Sequence, residues 1–159
     1  MARITVKHRL GQSFDIDIRG YALRSDEPST FGGEDEGPTP TELTVAGLAA
    51  CAADEAERRL ADAGLPYAEL EVGANFDWDE NAARIATIRL KVTMPADLNE
   101  AATLLVRTAM LSYPALKLLT QPPEVECEFG GGLVLALNGR EVVAGAWPEE
   151  PPPDVDSEG

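Results

Sequence analysis

Apolar and polar residues alternate from Ser13 to Arg19, with Phe14, Ile16 and Ile18 on one side and Asp15 and Asp17 on the other. Period two is the mark of a half-buried strand. Leu10-Gly11-Gln12 reads as the preceding turn, so residues 3–18 predict a hairpin, and Tyr21 to Ser25 extends the sheet. Residues 26–38, DEPSTFGGEDEGP, have loop composition. Thr39-Pro40-Thr41-Glu42 then open a helix: Thr39 suits the N-cap, Pro40 the first position, and Glu42 completes a capping box. The helix should run to Ala63, with Gly64 as the left-handed residue after it and Pro66 preventing continuation. Its first half, Leu43 to Ala53, is apolar nearly all round and made mostly of Ala and Gly, whereas Asp54 to Asp62 is charged. A half-helix apolar on every side is expected to be buried on every side. Its small side chains let another backbone approach closely, so the expectation is a core helix packed on another helix, such as the same helix of a second subunit.

Glu69 to Asp77 and Ile85 to Met94 predict a second hairpin across Trp78 to Arg84. Asp97 with Glu100 three residues later reads as a second capping box, and Leu98, Ala101, Leu105 and Ala109 as the apolar stripe of the helix it opens. Pro114 breaks that helix near Tyr113 and opens a short one, Ala115 to Thr120. Val125, Cys127 and Phe129 alternate with glutamates as a strand. Leu133 to Leu137, Asn138-Gly139 and Arg140 to Ala144 read as a hairpin with a type I′ turn. After Trp147 the chain is acidic and Pro-rich, the composition of disorder. Helices do not alternate singly with strands, so the class is α+β with antiparallel sheets. The expected organisation is one domain over 1–147 and a tail over 148–159.

Charge and composition narrow the function. The 159 residues carry 13 basic and 28 acidic side chains, a net charge of −15. That argues against nucleic acid, whose binding rests on neutralising phosphates, and against an anionic membrane surface. No apolar run approaches the roughly 20 residues needed to span a bilayer. MARITVKHRL has no apolar leader core, so the expected location is cytoplasmic. A single histidine, His8, cannot build a multi-histidine zinc site. Cys51 and Cys127 form no C-x-x-C, no phosphate-cradling glycine motif is present, and the acidic run at 26–36 lacks calcium-loop spacing. No cofactor and no metal are expected. What remains is a thiol, carboxylates and arginines.

Asp26-Glu27-Pro28, Gly32-Gly33, Gly37-Pro38-Thr39-Pro40-Thr41-Glu42-Leu43 and Ala46-Gly47-Leu48-Ala49-Ala50-Cys51 together resemble the OsmC/Ohr family, as does the element order over residues 3–129. The resemblance implies an intertwined homodimer, with antiparallel sheets around a central helix and sites at the subunit interface. It implies thiol-dependent reduction of hydroperoxides: one cysteine in the central helix becomes a sulfenic acid, a second just before a proline resolves it, and an arginine and a glutamate assist. Cys51 matches the first cysteine. The second position holds Tyr113, before Pro114. The family's Pro-Glu pair reads Pro40-Thr41, with Glu42 one residue later. Arg9 is the first choice for the arginine, with Arg3, Arg19 and Arg24 as rivals.

Each candidate also has a plainer reading. Cys51 is a peroxidatic thiol or a small hydrophobe in an Ala-rich helix. Cys51 lies about three turns into its helix, beyond the reach of the helix dipole, so a cation must activate it. Glu42 is a capping residue or a site carboxylate, Arg9 a solvated turn residue or the activating cation, and Cys127 a core residue. Tyr113 packs or, with Leu48, lines a pocket. Three functions follow: a hydroperoxide reductase using an external thiol, a non-catalytic relative holding a small apolar ligand, or an interaction protein working through its acidic tail.

Overall fold

The computed structural model describes residues 3–95, 98–111, 113–123, 125–129, 133–136 and 141–143. The chain divides into two units, one spanning Ala2–Thr120 and the other the chain from Gln121 onward. The larger contains strands β1 (Ile4–His8), β2 (Phe14–Ile18) and β3 (Tyr21–Ser25), helix α1 (Pro40–Asp62), strands β4 (Glu71–Asp79) and β5 (Arg84–Thr93), and helices α2 (Glu100–Met110) and α3 (Pro114–Thr120). The second unit holds a three-stranded antiparallel sheet of β6 (Glu126–Phe129), β7 (Leu133–Ala136) and β8 (Glu141–Val143). The Asn138-Gly139 turn, the Gly130–Gly132 run and the tail lie outside the described residues.

The first sheet is the antiparallel meander β1-β2-β3. Its register pairs Ile4 with Ile18 and Val6 with Ile16 on one face, and Lys7 with Asp15 and Asp15 with Arg24 on the other. The alternation read from Ser13 to Arg19 is therefore a two-faced sheet. β2 and β3 are joined by Arg19 and Gly20, at φ 56° and 89°. Two consecutive positive φ values make a primed turn that matches strand twist. β4 and β5 form the second hairpin, with an irregularity between Asp77 and Trp78. That extra twist carries Trp78 and Asp79 into the strand, so the turn is shorter than the sequence pattern suggests.

α1 begins as expected. Thr39 N–H donates to Glu42 Oε2 at 2.8 Å, and Glu42 N–H donates to Thr39 Oγ1 at 3.1 Å. Gly64 follows its end at φ 66°. The expectation of burial on every side is corrected: Val45, Leu48, Ala49, Ala52, Ala56 and Leu60 are buried, but Ala46, Gly47, Ala50 and Cys51 are exposed in the single chain. Two expectations for α2 also change. Its N-cap is Asn99, whose Oδ1 accepts the Ala102 N–H at 3.0 Å, and not Asp97. Its buried stripe is Ala102, Val106 and Ala109, while Ala101 is exposed and Leu105 is at the surface. The inward face is set by what it packs on, and a stripe displaced by one residue is turned by about 100° around the helix. Ala56 and Leu60 of α1 meet Ala102 and Val106 of α2, with Val92, Met94, Leu98 and Met110 packed around them. Among the described residues no helix is long and apolar enough to cross a membrane.

Candidate functional site

α1 presents Cys51 from its middle as a free, exposed thiol. Its neighbours on the exposed face are Ala, Gly and Ala, which leave room around the sulfur. Tyr113, in the turn between α2 and α3, is only 3% exposed. Burial raises the phenol's pKa above its usual 10.0, and negative charge on Cys51 raises it further. The phenol and the sulfur are thus electrostatic neighbours, and Tyr113 keeps its proton throughout the neutral range.

The other sequence candidates do not gather at Cys51. Glu42 is the capping carboxylate of α1. It lies nine residues before Cys51, which on a helix is about 13 Å along the axis and half a turn around it. Arg9 sits in the β1–β2 turn, where its N–H donates to the Ser13 carbonyl and its guanidinium lies 3.9 Å from Asp15. Arg24 Nη1 donates to Glu36 Oε2 at 2.7 Å, while its Nε is 3.5 Å from Asp15 without hydrogen-bond geometry. Leu48 is buried on the inner face of α1 and does not line the groove to which Tyr113 belongs. That groove, of about 600 Å³, runs between β5 and α2. The Cys127 side chain lies outside what the structure describes.

Two further features come into view only in the folded chain. Asp26, 1% exposed, accepts backbone N–H bonds from Glu27, Glu34 and Glu36 at 2.9, 3.0 and 3.1 Å. The N–H of Glu36, then those of Glu34 and Glu27, hold its carboxyl below the usual 3.8 against the opposing effect of burial. The acidic loop is thus folded around a carboxylate acceptor, and Asp26 N–H and Ser25 Oγ both donate to the Pro38 carbonyl, fixing the approach to α1. Gly33 is required there: a Cβ would stand 1.8 Å from the Glu27 carbonyl oxygen. The signal in the sequence was the Gly pair inside an acidic run. The second feature is Arg107, on the last turn of α2, which lines the β5–α2 groove. No local pattern distinguishes it from a solvated helix arginine. Among the described residues no group of three His, Cys, Asp or Glu side chains is arranged to hold a metal ion.

Residues 33–128 match the family model described as OsmC-like protein. No curated protein matches the sequence. Solved structures share the fold. A Psychrobacter arcticus protein named for osmotic stress induction and a detoxification response superposes with a TM-score of 0.71 at 16% identity, covering 77% of this chain and 90% of its own. An OsmC-like protein from Mycoplasma pneumoniae gives 0.66 at 16% identity, covering 76% and 88%. The organic hydroperoxide resistance protein OhrB of Bacillus subtilis gives 0.53 at 21% identity, covering 76% and 92%.

Proposed function

The chain belongs to the OsmC-like protein family, and from that membership we propose that it is a thiol-dependent hydroperoxide reductase with Cys51 as its peroxidatic cysteine and an external thiol as reductant. The observation that carries this reading is the exposed Cys51 thiol on the small-residue face of α1, with the buried Tyr113 phenol as its electrostatic neighbour. Tyr113 stands where the resemblance expects the second cysteine, and a phenol does not perform thiol–disulfide exchange. Resolution therefore falls to a thiol from outside the chain. The Cys51 thiolate attacks the peroxide oxygen, the O–O bond breaks, and an alkoxide leaves and is protonated. The resulting sulfenic acid condenses with the external thiol, releasing water. The reaction belongs in the cytoplasm, where small thiols are kept reduced.

The proposal includes a homodimer. Ala46, Gly47 and Ala50 are exposed beside Cys51, and on the first sheet Ile4 and Val6 are 61% and 57% exposed. A second copy covering these faces would bury them. It would also bring to Cys51 a carboxylate from Glu42 and a cation from Arg9, with Arg3, Arg19 and Arg24 as the rival arginines. The test is organic hydroperoxide followed by intact mass and a sulfenate-trapping reagent. One oxygen or one adduct on Cys51 is expected, with Cys127 unmodified and turnover only when thiol is added. A Cys51–Cys127 disulfide would refute external resolution. An inert Cys51 would transfer the weight to a second reading, a non-catalytic binder of a small apolar ligand, which the groove between β5 and α2 favours.

A further inference from the structure

A thiolate that attacks an alkyl hydroperoxide expels an alkoxide, which leaves readily only if a proton reaches it as the O–O bond breaks. The side chains around Cys51 offer few sources for that proton. Its neighbours on the outer face of α1 are alanines and a glycine. One turn on, Asp54 and Glu55 are the next carboxylates along the helix, and both are ion-paired acceptors. Arg58 donates to Asp54 and, at 3.3 Å, to Glu55, and Arg59 donates to Glu55 at 2.7 Å. An ionised carboxylate has no proton to give, and a guanidinium does not release one. Glu42 is engaged in the cap of α1, half a turn around the helix. Tyr113 is different. α3 packs on α1, and Tyr113 stands at the start of α3, its carbonyl accepting the Leu116 N–H at 3.1 Å. Its buried ring shares the wall of the β5–α2 groove with Val106, Met110 and Leu116.

We propose that the Tyr113 hydroxyl is the general acid of the peroxide half-reaction, giving its proton to the departing alkoxide as Cys51 attacks. The assignment rests on the peroxidatic role of Cys51 proposed above. The thiolate attacks the terminal, hydrogen-bearing oxygen of the hydroperoxide. An S–O bond forms, the O–O bond breaks, and that oxygen keeps its hydrogen as the sulfenic acid. The alkoxide leaves with the bonding pair and takes the phenol proton, giving an alcohol and the Tyr113 phenolate. Water restores the phenol and departs as hydroxide, entering by the groove, which meets solvent at the exposed Arg107 and Leu111. An alkoxide, like hydroxide, is a far stronger base than a phenolate, so the transfer runs downhill. The timing also follows from the charges. Burial, and then negative charge on Cys51, hold the phenol above its usual 10.0, so the resting protein keeps the proton in place. The attack removes the charge from sulfur. The phenol therefore becomes a stronger acid at the moment the alkoxide appears.

The experiment compares two oxidants that differ in what leaves. tert-Butyl hydroperoxide releases an alkoxide, whereas peracetic acid releases acetate, which departs without a proton. Oxygen uptake on Cys51 of the full chain is timed by intact mass with each. Tyr113→Phe keeps the ring and removes the proton. It should slow the reaction with tert-butyl hydroperoxide about a hundredfold, the usual weight of a general acid. Its reaction with peracetic acid, and its alkylation by iodoacetamide, should stay close to those of the unaltered protein. The unaltered protein supplies a second reading. In deuterium oxide its reaction with tert-butyl hydroperoxide should slow relative to that with peracetic acid, a comparison that cancels any effect on the thiol itself. Should Tyr113→Phe not fold, this isotope effect decides alone, and its absence overturns the proposal. Equal slowing with both oxidants would mean that Tyr113 only shapes the surroundings of Cys51. Slowing with neither would place the proton source elsewhere. Either result overturns the proposal and leaves Cys51 as the peroxidatic residue. If tert-butyl hydroperoxide does not oxidise Cys51 in the unaltered protein, the proposed function falls as well.

Discussion

Asp26 is a buried carboxylate whose charge is satisfied by the loop it organises. Three backbone N–H groups point at it, and its pKa is lowered from 3.8. A lowered folded pKa means the ionised form contributes stability above the unfolded pKa, and that this contribution is lost as pH falls through the folded value. Asp26→Asn, which keeps the shape but not the charge, should lower the melting temperature at pH 7. The gap to the unaltered protein should close on acidification below about pH 4. A constant gap down to pH 3 would contradict the role. Tyr113 carries the opposite shift. Its phenol should titrate above 10.0 in ultraviolet absorbance, and Cys51→Ser should bring it part of the way down by removing the negative neighbour. Tyr113→Cys addresses geometry: peroxide should then link position 113 to Cys51 as a disulfide. If a folded protein forms no such bridge, the two positions are not placed for resolution.

α1 is the element on which fold and proposed chemistry meet. Its inner stripe is ordinary core: Leu60 is 0% exposed, and Leu60→Ala should cost about 2–5 kcal/mol in denaturant unfolding. Its outer face behaves differently. A Cβ at Gly47 meets nothing within 4 Å, so Gly47→Leu disturbs no contact within the single chain. If the face joins a second copy, that substitution should instead overpack the contact and weaken association by roughly 1–3 kcal/mol. Sedimentation as a function of concentration reads this directly, and an unaltered dimer would show that the contact lies elsewhere. The start of α1 was legible because a capping box is a local pattern. The phase of α2 was not, since choosing Asn99 over Asp97 as cap depends on which residues meet Ala56 and Leu60.

For the whole molecule, the expectation is a dimer at low micromolar concentration, and a stable, well-folded monomer there would refute it. Removing residues 148–159 changes the formal charge from −15 to −10 by deleting five acids. A chain without that segment should melt close to the full-length temperature, and a large drop would mean that the segment docks. What the sequence determined by itself was local: the period-two alternation of β2, the Thr39–Glu42 cap, the Gly64 stop and the family resemblance in residues 26–51. Each is set by neighbours a few residues apart, so short-range physics suffices. The tertiary structure decided which face of each element is inside. Glu42 and Cys51 share one helix but point half a turn apart. Ala46, Gly47 and Ala50 stay uncovered because one chain has nothing to lay on them. Asp26 draws donors from as far as Glu36 because the loop closes on it. Arg107 and Tyr113 come to one groove only because α2 packs across β5, a long-range juxtaposition that no spacing along the chain encodes.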